Sequence, residues 1–260
     1  MAKSLEELWE AFALTKRYLK QQIEVGWDEI YLVSEGSTFA GEDKNKSAEG
    51  GSISLVGQAG GVKKISSVEK QLHKFYLEIK DCTKCHLSKS RTNFVFGVGN
   101  GESKVIFIGE APGREEDLKG EPFVGAAGKL LDKILEAIKF KREEIYIANI
   151  LKCRPPENRD PDPEEIEICQ PYLLKQIQII KPGIICALGR ISAQALLKSK
   201  LPLNQLRGRF HDFCVDGLPH PIRFLVTYHP AALLRYPQYK KQTWEDVQLL
   251  KKEYDRLKGY

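Results

Sequence analysis

Four cysteines, Cys82, Cys85, Cys153 and Cys169, frame a short glycine loop, Gly109-Glu110-Ala111-Pro112-Gly113. A C-x2-C pair followed at a distance by two single cysteines can bring four thiolates to one metal centre. Either a tetrahedral zinc or a cubane iron-sulfur cluster accepts such a set, and the spacing does not choose between them. The fifteen residues between Cys153 and Cys169 include Pro155, Pro156, Pro161 and Pro163. A proline-rich excursion that leaves a strand and returns through a helix can carry both distant thiols to the first pair. Cys186 and Cys214 lie in apolar, strand-like contexts and read as small buried hydrophobes.

The glycine loop lacks the G-x-G-x-x-G spacing, and Arg114-Glu115-Glu116-Asp117 follows it with an acidity that repels a pyrophosphate. Its small residues and proline instead suit backbone held close to a ligand, with Glu110 projecting into a site; a carboxylate at a helix N-terminus is the plainer use of the same residue. Phe123 lies in the rigid turn Gly120-Glu121-Pro122-Phe123-Val124-Gly125. There it can offer a face to an unstacked base or simply be buried. Asn149 closes a very apolar run, and a buried amide costs free energy unless a ligand or nearby backbone uses both its donor and its acceptor. Asn158, inside Pro-Pro-Glu-Asn-Arg, reads alone as a turn residue, and His229 before Pro230 as a loop residue.

Taken together, the four cysteines, GEAPG at 109 to 113, GEPFVGAAG at 120 to 128, NILKCRPPENRDP at 149 to 161 and HPAALL at 229 to 234 are highly specific. From about Val68 to the C-terminus the chain resembles the family 4, iron-sulfur type of uracil-DNA glycosylases. The resemblance implies a monofunctional enzyme that flips deoxyuridine from DNA, hydrolyses the N-glycosidic bond through an oxocarbenium-like sugar and leaves an abasic site. It implies a structural 4Fe-4S cluster on Cys82, Cys85, Cys153 and Cys169, with no redox cofactor or catalytic metal.

By the same resemblance Glu110 orients water or stabilises positive charge on the sugar, Asn158 is a second catalytically important asparagine, and His229 donates to uracil O2 as the base departs. Phe123 stacks on the base, and Asn149 reads its N3-H donor and O4 acceptor. Better-known uracil-DNA glycosylases without a cluster carry an aspartate and a tyrosine after the first strand; Glu110 and Ala111 hold that segment here, so Ala111 is expected beside the substrate and attack by an Asp-activated water does not transfer. Glu116 is a candidate for blocking the C5 methyl of thymine. Leu233 or Leu234 could enter the duplex as the base leaves it. No histidine lies between Cys153 and Cys169, so no covalent histidine adduct is expected. Uracil-containing DNA and base-excision repair proteins are the implied partners of a monomeric protein. Two competing readings are a catalytically silent iron-sulfur DNA-binding module, opposed by the presence of Glu110, Asn149, Asn158 and His229, and a zinc-stabilised nucleotide-processing enzyme.

The elements that must position these residues read as strands at Val105 to Ile108, Ile145 to Ile150, Ile184 to Leu188 and Phe224 to Thr227, separated by helices at about 126 to 139, 163 to 180 and 190 to 198. That alternation predicts an α/β fold, three layers αβα around a central, mainly parallel four-stranded sheet. Gly109-Glu110, Asn149 and His229 fall at or just past strand ends, where ligands of such sheets bind. A helix at 66 to 80 leads into Cys82. Further upstream, Leu5, Leu8, Trp9, Phe12, Leu19 and Ile23 lie near helical spacing, with Ser4 and Glu7 completing a capping box. The tract from Ser34 to Gly61 is poor in large apolar residues. The expected organisation is a helical extension over 1–33, a flexible linker over 34–65 and a catalytic domain over 66–260.

Composition sets the broad class. With 42% hydrophobic and 29% charged residues the chain is typical of globular proteins. No apolar run approaches the roughly 20 residues of a membrane span and no basic-then-apolar segment opens the chain. A cytoplasmic, nucleoid-associated protein with reduced thiols is expected. The net charge of +5 is uneven: residues 1 to 66 carry 8 Lys+Arg against 10 Asp+Glu, the remainder 32 against 25. The positive excess falls on the part that carries the motifs, which suits a polyanion.

Overall fold

Apolar runs of four to six residues bounded by turns can hide both faces only inside a covered sheet. In a computed structural model that describes residues 66–259, they do so. The elements run α1 (Ser67–Ile79), β1 (Val98–Gly99), β2 (Val105–Gly109), α2 (Arg114–Lys119), α3 (Ala126–Ala137), β3 (Tyr146–Asn149), α4 (Pro163–Ile180), β4 (Ile184–Leu188), α5 (Arg190–Leu197), α6 (Leu203–Leu206), β5 (Phe210–Phe213), β6 (Ile222–Thr227), α7 (Pro230–Arg235) and α8 (Lys240–Lys258). The expected N-terminal helix, its Ser4 cap and the whole of the expected linker lie outside the described residues.

The six-stranded sheet has the order β1-β3-β2-β4-β6-β5. Its four central strands are the four apolar runs and are mutually parallel. The short strands β1 and β5 extend the sheet antiparallel at its two edges. Successive side chains of a strand point to opposite faces. Ile106, Ile108, Ala148, Ile185, Ala187, Phe224 and Val226 therefore join one apolar layer with α1, α4 and α5. Val105, Phe107, Ile147, Ile184, Cys186 and Leu225 join the other with α3 and α8. This is the three-layer αβα arrangement, and register matters most at its carboxyl edge, where Gly109 pairs with Asn149 and Leu188 with Thr227.

Helix starts follow local chemistry. Ser66 accepts from Glu69 N at 3.1 Å while Glu69 Oε2 accepts from Ser66 N at 2.9 Å, a reciprocal cap that fixes α1 just before Cys82. Pro163 opens α4, where a missing N–H costs nothing. Of the two cysteines expected as buried hydrophobes, Cys186 is fully buried in β4 but Cys214 is exposed. Cys214 follows an edge strand, where buried Phe213 and Val215 alternate with the solvent-facing position between them.

Just beyond β3 the chain buries a lysine completely. Lys152 Nζ donates to Asn149 O (2.9 Å), Phe96 O (3.0 Å) and Gln176 Oε1 (2.7 Å), so all three ammonium protons have acceptors. Gln176 in turn donates to Phe96 O at 3.0 Å and lies 3.0 Å from the Tyr146 hydroxyl. The network ties the end of β3 to α4 and to the segment before β1. Each such bond contributes about 1 kcal/mol net. Lys152→Met, which keeps the volume and orphans the acceptors, is expected to lower the free energy of urea unfolding by about 3 kcal/mol, a large share of a typical domain's stability. An unchanged unfolding midpoint would show that the network does not hold β3.

Candidate functional site

A cavity of about 370 Å³ opens at the carboxyl edge of the sheet. That is within the range of small-ligand sites. Glu110 and Ala111 reach it from the end of β2, Asn149 from β3, and His229 from the turn between β6 and α7. Glu116, Phe123 and Asn158 complete the wall. The seven residues expected to touch substrate or take part in the chemistry are thus brought together.

The floor is built around a missing side chain. A Cβ at Gly109 would lie 2.6 Å from Phe123 Cζ and against Asn149 Oδ1, so glycine is required for the ring and the amide to converge. Phe123 itself holds a left-handed backbone, φ 55°, which a bulky residue adopts only when its surroundings impose it. Three contacts do so. Glu116 Oε1 accepts from Val124 N and Gly125 N, both at 2.9 Å; Arg142 Nη2 donates to Pro122 O at 2.8 Å; and Gly128 in α3 lies so close to Phe123 O that a Cβ there would overlap it. The Phe123 ring then faces His229 at 5.4 Å between centroids. Glu116, expected to block a methyl group, has one carboxylate oxygen committed to anchoring this turn.

Asn149 is 2% exposed, and its Oδ1 finds no donor among the described residues. A buried amide oxygen left unpaired costs about 1–3 kcal/mol, so the position is explained by a ligand that donates to it. His229 Nδ1 accepts from Ala231 N at 3.1 Å. This places the neutral ring's proton on Nε2, making that atom the donor. Burial lowers its pKa to about 4, with nearby Glu116 opposing and Arg235 assisting, so the imidazole is neutral at ordinary pH. Burial pushes the Glu110 carboxyl up to about 7; the Asp160 carboxylate adds to this and the Arg190 guanidinium opposes it. Asp160 and Arg190 are themselves paired at 2.7 Å. Asn158 has φ 55° and accepts from Arg154 Nε at 2.8 Å through its side-chain oxygen.

Behind the cavity the four cysteines gather in one apolar cluster. All are free thiols. Donors surround them: Arg91 Nη1 lies 3.2 Å from Cys153 Sγ, Lys152 N 3.3 Å from Cys169 Sγ and Tyr172 Oη 3.1 Å from Cys82 Sγ. Arg91 also donates to Cys82 O (2.7 Å) and Lys80 O (3.2 Å), fixing the turn that follows α1. Burial pushes the Cys169 thiol up to about 12, against the pull of Lys152. Thiolates persist in so dry a place only beside a multivalent cation, which suits a metal centre. Sulfurs bound to one zinc at about 2.3 Å would stand roughly 3.8 Å apart. Among the described residues the set with ligand atoms within 4.8 Å of one another is His86, Asp162 and Glu165, not the cysteines. The thiols are spread more widely than one zinc requires. The carboxylate set already holds a cation, because Arg159 Nη2 lies 2.6 Å from Glu165 and 3.1 Å from Asp162.

The two leucines expected at the duplex separate. Leu233 is 1% exposed and belongs to the core, because α7 turns that side inward, so its assignment to DNA is corrected. Leu234 is 51% exposed. Asp160, Arg190, Arg235 and Tyr236 escaped sequence reading. Asp160 stands inside the 149–161 motif and Arg235 and Tyr236 just past the last one, while Arg190 had no sequence cue; their relevance arises where the 155–161 excursion, α5 and α7 meet in space. No helix among the described residues is long and apolar enough to cross a membrane.

Comparison with known proteins agrees with this geometry. Residues 96–248 match the family model described as the uracil DNA glycosylase superfamily. The chain is similar to the type-4 uracil-DNA glycosylase of Archaeoglobus fulgidus, 47% identical over 173 residues, 65% of this chain and 86% of that protein. It is similar to that of Saccharolobus solfataricus, 45% identical over 179 residues, 67% and 82% of the two chains. The Thermotoga maritima protein of the same name is 44% identical over 158 residues, 60% and 80%.

The raised Glu110 pKa has a stability consequence. A carboxyl whose folded pKa is about 7 against an unfolded 4.5 contributes stability that is fully present below pH 4.5 and lost as pH rises through 7. Relative to Glu110→Gln, the native chain should therefore weaken progressively between those values in urea unfolding, and carbon NMR should place the carboxyl midpoint near 7. A midpoint near 4.5 would mean that the carboxylate is solvated.

Proposed function

The chain belongs to the uracil-DNA glycosylase superfamily, and we propose that it excises uracil from DNA by the monofunctional, hydrolytic route, with the cavity at the sheet edge as its base pocket. The observation that carries the reading is the buried, unpaired Asn149 Oδ1 beside the Phe123 ring. Uracil offers the N3-H donor that this oxygen lacks, an O4 acceptor for the Asn149 amide, and a flat face for Phe123. The residues act together on an extruded nucleotide, since an enzyme that works on a base must take it from the stack.

The C1′–N1 bond breaks with its electron pair leaving on uracil. His229, neutral and carrying its proton on Nε2, donates to uracil O2 where that negative charge gathers. Neutrality keeps the imidazole a hydrogen-bond donor rather than a strong acid. Ionised Glu110 faces the electron-poor sugar and orients the water that adds to C1′; the water's second proton passes to solvent or to Glu110 itself. Asn158, held through its oxygen by Arg154, keeps an amide donor for the same water or the sugar. Hydrolysis then gains as Glu110 ionises near pH 7. Glu116 shapes the pocket against thymine chiefly by pinning the Phe123 turn. Leu234 takes the duplex-facing role left by Leu233. The 66–260 segment carries the activity, with 1–33 and 34–65 an extension and linker dispensable to it. DNA is the partner of a cytoplasmic monomer that hands its abasic product to repair proteins.

Cys82, Cys85, Cys153 and Cys169 would hold a 4Fe-4S cluster, supported by sulfurs wider apart than zinc needs and by the donors aimed at three of them. When bound, the cluster supplies cross-linking rather than redox chemistry: it fastens the turn after α1 to the excursion carrying Asn158. Cys153→Ser should lower iron content and thermal stability together. A native protein that binds no metal, or a variant with full iron and unchanged melting, would reject this.

Base choice provides the functional test. Cytosine presents an N3 acceptor and an N4 donor, the reverse of uracil, so both contacts to Asn149 are mismatched. Asn149→Asp removes the amide donor and adds an acceptor. Each mismatched buried contact is worth roughly 1–3 kcal/mol. Uracil excision should fall steeply in single-turnover assays, and the cytosine-to-uracil ratio should rise at least tenfold, about 1.4 kcal/mol. Native-rate uracil excision by the variant, or an unmoved ratio, would remove Asn149 as the base reader.

A further inference from the structure

Beside the pocket lies a row of tyrosines that the chemistry does not use. Tyr228 and Tyr239 stack face to face, 4.3 Å between centroids and 8° from parallel. Tyr236 meets Tyr239 edgewise at 6.0 Å and 60°. The inner end is rooted in the core: Arg207 lies over Tyr228 at 5.8 Å, Asp246 accepts from Arg207 Nε at 2.9 Å and from Arg207 Nη2 at 2.7 Å, and fully buried Asp246 also accepts from Thr227 Oγ1 at 2.7 Å. The outer end is open. Tyr236 is 52% exposed and lines the rim of the cavity beside Arg235. Backbone bonds from Tyr236 N to Ala232 O (2.8 Å) and from Tyr239 N to Tyr236 O (3.1 Å) hold the turn that presents it.

We propose that Tyr236 is a stacking seat for the unpaired base next to the extruded one, so that this rim binds single-stranded DNA. The inference rests on the uracil-excision reading for the identity of the pocket. Phe123, 5% exposed at the cavity floor, serves the base inside; the half-exposed ring at the rim meets the strand where it leaves. Exposed aromatic rings combined with free cations are how proteins hold single strands without reading sequence. The cations are present: Arg235, Lys240 and Lys241 are exposed, and among the described residues none has a carboxylate partner within ion-pair distance. A paired duplex keeps its bases stacked on one another and offers Tyr236 no free face. The seat therefore favours single strands, or sites where flipping has already unpaired a neighbour.

The test uses the full chain and oligonucleotides carrying a non-hydrolysable 2′-fluoroarabino deoxyuridine, with 2-aminopurine immediately 5′ or 3′ of it. Native protein should quench 2-aminopurine on one side through stacking. Base–aromatic stacking is worth about 1–3 kcal/mol, so Tyr236→Ala should weaken single-strand affinity about tenfold and abolish that quench. Tyr236→Phe, which keeps the ring, should retain both, and duplex affinity should fall less than single-strand affinity. Undiminished single-strand binding by Tyr236→Ala, equal losses on both forms, or failure of Phe to rescue would overturn the seat. The two readings fail separately. A native protein that releases no uracil yet loses single-strand binding on Tyr236→Ala defeats the pocket assignment and keeps the seat; one that excises uracil with Tyr236→Ala binding normally does the reverse.

Discussion

The absence of a side chain at Gly109 is the constraint on which the site depends. Parallel pairing sets Gly109 directly against Asn149 at the last rung between β2 and β3. A Cβ there would collide with both the Asn149 amide and the Phe123 ring. Because it is missing, a flat slot forms with an apolar face on one side and an amide edge on the other. Everything else serves to keep that slot open. Glu116, Arg142 and the close approach of Gly128 force Phe123 into a backbone conformation it would not choose. Such strain is held by the surrounding fold, and it fixes the ring before any ligand arrives.

A second constraint ties the slot to the cysteines. Lys152 donates to the carbonyl of Asn149, while its own backbone N–H points at Cys169 Sγ. The end of β3 that carries Asn149 and the thiol nest are therefore two ends of one buried hydrogen-bond network. Arg91 joins Cys153 to the turn after α1. The excursion bearing Asn158 is thereby anchored at both of its cysteines, so whatever holds the thiols together also holds the wall of the cavity.

Much of this was legible in the sequence because apolar runs and motif spacing report the parts that are buried. The four central strands and the three longer helices between them follow hydrophobic pattern to within about two residues, whereas the short helices α2 and α6 went unread. The edge strands did not: β1 has two residues and β5 reads Phe-His-Asp-Phe, so neither forms an apolar run. Helix α8 escaped because its buried face includes Thr243 and Asp246, polar residues that break the apolar periodicity. Leu233 and Leu234 are adjacent and chemically identical, so only the turn of α7 separates a core residue from an exposed one. The buried Lys152, the Asp160 influence on Glu110 and the Arg207–Asp246 support beneath Tyr228 all depend on segments distant in the chain meeting in space. No local pattern carries that information.

The central claim is that a preformed slot selects uracil, against cytosine by hydrogen-bond polarity and against thymine by the shape that the pinned Phe123 turn gives it, and releases it by hydrolysis. The most direct measurement is a single-turnover assay of the native chain on three otherwise identical oligonucleotides bearing one deoxyuridine, thymidine or deoxycytidine, with the free base quantified by mass spectrometry. The account predicts stoichiometric free uracil and an abasic site from the first, and no base release from the other two. No uracil released, or thymine released at a comparable rate, would contradict it.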